Sequence, residues 1–123
     1  MWSEALSVID RAERLQRQFF TQAMDAWEPP VDVVESGSEL EVHIALPGVA
    51  ADSIAIGVER DAVTVSALRA FPGRGEGVRI HRVEIPYGRF VRRIGIAMDE
   101  FELGGRRLAD GVLALTFRRK DTQ

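Results

Sequence analysis

The sequence predicts an all-β fold, an antiparallel β-sandwich preceded by an amphipathic N-terminal helix. Three observations carry that prediction. From Val31 onward apolar residues recur at every second position, turn residues return at roughly ten-residue spacing, and before residue 27 the apolar period is three to four. At 123 residues the chain has the size of one domain with a short arm. Its 46% apolar and 28% charged residues exclude disordered and fibrous classes.

The arm comes first. Trp2, Leu6, Ile9, Leu15, Phe19, Phe20, Ala23 and Met24 fall at helical spacings with charged residues mostly between them, Ser3 supplies an N-cap, and Pro29-Pro30 forbid continuation. The helix is therefore expected within residues 1–26. Val31 and Val33, then Leu40, Val42, Ile44 and Leu46, alternate with charged residues around the turn Ser36-Gly37-Ser38, which reads as a hairpin. Pro47-Gly48 breaks the second strand. SIAIGV then places Ile54, Ile56 and Val58 on one face, and a turn at Arg60-Asp61 leads into AVTVSAL. FPGRGEGV, residues 71–78, reads as a mobile loop or arm. VRIHRVEI alternates again, Pro86-Tyr87-Gly88 interrupts, and FVRRIGI spaces Phe90, Ile94 and Ile96 in twos. Residues 98–105 read as a connection, followed by the hairpin of RRLA and VLALTF around Asp110-Gly111. The expected total is about eight short strands.

Composition narrows the chemistry. Sixteen basic and nineteen acidic residues leave a net charge of −3, which offers no global attraction to nucleic acid or anionic membrane. Seven Arg lie between Arg69 and Arg93 against Glu76 and Glu84; their expected roles are pairing with a neighbouring subunit's acids or solvating strand edges. With no Cys, disulfides and thiolate chemistry are excluded. The acidic residues near the start do not suit a signal peptide, and no apolar run reaches membrane-span length, so a cytoplasmic location is expected. His43 and His81 have no metal-site spacing, no Ser sits in a nucleophile elbow, and Gly73-Arg-Gly-Glu-Gly77 lacks the phosphate-binding pattern. The expectation is no catalytic residue, no metal and no cofactor.

The apolar face of the arm needs a cover, because leaving it wet costs on the order of 10 kcal/mol. Its own sandwich is one candidate. Another subunit or a non-native client is favoured, since a sandwich already buries its own inner faces.

WEPPVDVVE (27–35), ELEVHIALPGV (39–49), SIAIGV with DAVTVSAL, EIPYGRFVRRIGIA (84–97) and LADGVLALTFRRK (108–120) together resemble the small heat-shock proteins of the alpha-crystallin type. The resemblance spans residues 27–120 and implies an immunoglobulin-like sandwich, the alpha-crystallin domain. It also implies an ATP-independent holdase that binds partly unfolded clients and prevents their aggregation under stress. Carried over by position, Arg79, Ile80, His81, Arg82 and Val83 would be a strand exchanged between subunits, with Arg92 an interface arginine. Ile54, Ile56, Val58 and Leu108 would line a groove that receives an Ile-x-Ile anchor. With the arm residues Trp2, Leu6, Ile9, Leu15, Phe19, Phe20 and Met24, they are the expected client-binding set. Residues 121–123 would be a residual tail without that anchor, so a homodimer or small homo-oligomer is expected. A different class, a non-enzymatic module docking one folded partner, uses the same sandwich. Stable membrane association is not expected, given the mixed-sign polar face of the arm.

Overall fold

A computed structural model describes residues 26–73 and 75–121. The helical arm expected over residues 1–26 falls, but for Ala26, outside the described residues. Among the described residues, seven strands form two antiparallel sheets. β1 (Val31–Ser36), β2 (Glu39–Ala45), β7 (Val112–Arg119) and β6 (Phe101–Ala109) make a four-stranded sheet in the order β1-β2-β7-β6. β3 (Ala55–Val58), β4 (Ala62–Arg69) and β5 (Gly88–Gly95) make a three-stranded sheet in the order β3-β4-β5. The architecture is the predicted β-sandwich.

The chain divides into two compact units. Residues 28–68 and 90–121 form the first, which holds the buried apolar core of the described residues. Period-two alternation explains it: β2 buries Leu40, Val42 and Ile44, β4 buries Val63, Val65 and Ala67, and β7 buries Leu113, Leu115 and Phe117. Register locks these sets together, with Leu40 opposite Phe117, Val42 opposite Leu115 and Ile44 opposite Leu113. A slip of one residue would turn every one of them to solvent.

The Asp110-Gly111 turn closes β6 onto β7. Both residues have positive φ, 53° and 76°, as a two-residue hairpin of the mirror-image type requires. Gly111 is constrained a second time, because a Cβ there would lie 3.2 Å from the Cα of Pro47. Its carbonyl accepts from the Leu46 N–H at 2.8 Å. The Leu-Pro-Gly and Asp-Gly motifs, more than sixty residues apart, thus meet at one corner. A small cap supports the opposite sheet. Ser53, in a 3-10 turn at Ala51–Ser53, takes the Leu68 N–H on its Oγ at 3.0 Å and donates to the Ala50 carbonyl at 2.7 Å.

Three expectations are corrected. Residues 98–105 are not simply a connection, since β6 begins at Phe101. The apolar parity switches from odd (Phe101, Leu103) to even (Leu108), and a strand can absorb that switch only by adding a residue. A bulge between Leu103 and Gly105 does so. Val33 does not alternate into the core: it and Val34 are 51% and 55% exposed, as befits β1 at the edge of its sheet. The alternating run 78–85 forms no strand within the single chain among the described residues, whereas the exchange expected of residues 79–83 concerns a second copy. Alternation alone does not make a strand without an edge to pair with.

The second unit holds, among the described residues, Ala26, Trp27 and residues 69–89. Aromatic contacts order it. The rings of Phe71 and Tyr87 meet edge to face at 5.1 Å, the Arg69 guanidinium lies 5.1 Å from the Tyr87 ring centroid, and Trp27 Nε1–H donates to the Tyr87 carbonyl at 3.0 Å.

Candidate functional site: a groove between two sheet edges

Strand order within the sandwich locates the site. The Arg92 guanidinium on β5 donates to the Pro29 carbonyl, just before β1, at 3.0 Å. The β5 margin of one sheet therefore lies beside the β1 margin of the other. Since both sheets run across the sandwich from there, the opposite margins, β3 and β6, flank a groove on the far side.

Register decides which side chains face it. On β3, Ile56 and Val58 stand opposite the buried Val65 and Val63, so they share the inward face with Ile54 just before the strand. Ile54 is buried, Ile56 is half-buried and Val58 is 56% exposed. On β6, Leu103, Arg106 and Leu108 stand opposite the buried Phe117, Leu115 and Leu113 and share that inward face. Leu103 is 37% exposed, Leu108 half-buried and Arg106 exposed. The groove walls are thus incompletely covered apolar side chains, and both strands end their sheets with an unpaired backbone edge.

Of the expected groove residues, the structure brings Ile54, Ile56, Val58 and Leu108 to these two margins. Leu103 was not legible, because reading 98–105 as a connection hides the bulge, and the signal that finds it is the parity switch across Gly104-Gly105. Arg106, two residues before Leu108 in RRLA, follows from alternation but carries no apolar signal that singles it out. The arm residues Trp2, Leu6, Ile9, Leu15, Phe19, Phe20 and Met24 lie outside the described residues.

Arg79, Ile80, His81, Arg82 and Val83 belong to the second unit and line one side of a cavity of about 650 Å³ with Phe71, Val78 and Ile85. Ile80 is 49% exposed and Arg82 pairs with Glu84 at 2.9 Å. Arg92 is half-buried, and its only described partner is the carbonyl of Pro29.

His43 is turned to Glu41, 3.1 Å away, rather than into any site. Among the described residues no group of three or more His, Cys, Asp or Glu is placed to hold a metal ion, and no helix is long and apolar enough to cross a membrane. What the groove offers is non-covalent: apolar surface and a strand edge, the two elements by which an extended peptide is held.

Comparison with known proteins gives the same direction. The Hsp20/alpha crystallin family matches residues 32–123. An 18 kDa heat shock protein of Streptomyces albus G is 38% identical over 68 residues, 55% of this chain and 48% of that protein. The 18 kDa antigen 2 of Mycobacterium avium is 35% identical over 91 residues, 71% of this chain and 62% of that one. The chain spans about half the length of the curated relatives it matches, 48% and 43% for the first two. Among solved structures, hspA from Xanthomonas axonopodis superimposes with a TM-score of 0.61 at 26% identity, covering 76% of this chain and 95% of that one. A small heat-shock protein from Xylella fastidiosa does so with a TM-score of 0.66 at 21% identity, covering 79% and 90%.

Proposed function

The chain belongs to the Hsp20/alpha crystallin family, and on that premise we propose that it is an ATP-independent holdase chaperone. It binds partly unfolded proteins through apolar surface and keeps them from aggregating under stress. One observation carries the reading: the sandwich leaves large apolar side chains uncovered at its margins, Val33 and Val34 on β1 and Val58 and Leu103 flanking the groove. Exposed apolar surface beside an open strand edge is complementary to what an unfolding client presents, an extended apolar segment with unsatisfied backbone groups.

In this reading the chaperone acts as a cytoplasmic homodimer or small homo-oligomer, and Arg79 to Val83 pair with a second copy. The exposed Ile80 and the alternation without an internal partner support that assignment. Arg92 positions the start of β1 through Pro29, and the remaining guanidinium donors are available to acids of a second subunit. The groove residues Ile54, Ile56, Val58 and Leu108, with the N-terminal apolar residues, contact clients.

The test is light scattering of a heat-labile enzyme warmed with a stoichiometric amount of this protein and no nucleotide. Suppressed scattering is expected. Unchanged scattering, together with pull-downs that return one native protein before and after heating, would instead identify a module dedicated to a folded partner.

A further inference from the structure

We propose that Arg106 makes the β3/β6 groove selective for extended segments that carry an acidic residue between two apolar ones. The proposal rests on the groove binding reading above and adds a rule of choice to it.

The register supplies the argument. Across the bulge, Leu103, Arg106 and Leu108 follow one another on the inward face of β6, opposite Phe117, Leu115 and Leu113. A cation therefore stands at the middle of an otherwise apolar wall. The other wall, Ile56 and Val58, carries no charge to balance it. Two arginines of the sandwich are held by acids, Arg93 by Glu59 and Asp61 and Arg119 by Glu35 and Glu100; what distinguishes Arg106 is its place on the inward face of β6. Arg106 is exposed and forms no ion pair or hydrogen bond with any described residue. The stems of Arg side chains lie readily along apolar surface while the charged head stays wet, so the guanidinium suits a groove that holds both kinds of group.

β6 is the last strand of its sheet, so an extended segment can add to its free edge. Side chains directly opposite across an antiparallel pair interact, and every second residue of the guest faces the groove. The favoured guest thus has the pattern apolar-x-acidic-x-apolar, its apolar residues against Leu103 and Leu108 and its carboxylate against Arg106. A basic residue at the centre meets like charge. A partly exposed cross-strand charge pair corresponds to a preference of roughly two- to fivefold over a neutral centre, and fading of that preference with added salt follows from screening.

Fluorescence anisotropy of the full chain with three labelled heptapeptides tests this: Ser-Ile-Thr-Glu-Thr-Ile-Ser and its counterparts with Gln or Lys at the centre. The expected order of affinity is Glu over Gln over Lys. Arg106→Gln should flatten the order and Arg106→Glu should invert it. Val58→Gln, at an exposed position and without charge, should weaken all three peptides and so place them in the groove. Equal binding of the three, an order unchanged in Arg106→Glu, or no binding of any, overturns the selectivity. The light-scattering assay run beside it separates the two ideas: suppression that persists while the peptide order is flat leaves the holdase standing without charge selection.

Discussion

VLALTF (112–117) and VRIHRVEI (78–85) both alternate apolar with other residues, yet only the first is a strand. Leu113, Leu115 and Phe117 are among the most buried side chains of the molecule, whereas Val78, Ile80 and Ile85 are each about half exposed. The difference is in neighbours. β7 pairs on both sides, with β2 and β6, so each of its backbone groups and each inward side chain is met within the chain. Among the described residues, 78–85 belong to no strand and pair with none. Alternation specifies which face of a strand is apolar; a paired edge is what makes the strand.

Changes within β7 sharpen that contrast most. Phe117→Ala removes a fully buried ring and is expected to lower unfolding free energy by about 3 to 5 kcal/mol, read from urea denaturation at a fixed protein concentration. Gly111→Ala comes next. It forces a side chain into positive φ and against Pro47 at 3.2 Å, with an expected loss of about 2 kcal/mol visible as a lowered melting temperature. Arg119→Ala is smaller. Its guanidinium holds Glu35 at 3.0 Å and Glu100 at 3.2 Å and lies 4.6 Å from the Phe101 ring centroid. These contacts are half-exposed, so about 1 kcal/mol is expected, and the loss should shrink in high salt for its ionic part alone.

The smallest effect on folding belongs to the other region. Ile80→Ala should change unfolding of the protomer by less than about 0.5 kcal/mol, as a half-exposed site in an unpaired segment allows. If that segment pairs with a second copy, the same substitution should lower the average mass in size-exclusion light scattering on dilution. An unchanged mass would return residues 79–83 to the status of a loop.

Much of the sandwich was readable from residues because its signals are local. β2, β4 and β7 announce themselves by alternation, and Asp110-Gly111 by turn chemistry that needs positive φ. Two of the groove's walls were readable in part: Ile54, Ile56, Val58 and Leu108 lie in recognisable strands. Leu103 was not, since a glycine pair inside a strand looks the same as a loop until a partner strand reveals the extra residue, and Arg106, though in the recognised run RRLA, stands on the apolar face without being apolar.

The sequence by itself determined which segments can be strands and which of their faces are apolar, because side-chain alternation and turn residues act over a few neighbours. The tertiary structure decided the rest. It left β1 at an edge with Val33 and Val34 uncovered, resolved the parity switch of β6 with a bulge, and set Arg106 on the same face as Leu103 and Leu108. Those outcomes depend on which strand lies alongside, and hydrogen-bond pairing between segments far apart in the chain is not written in either segment alone.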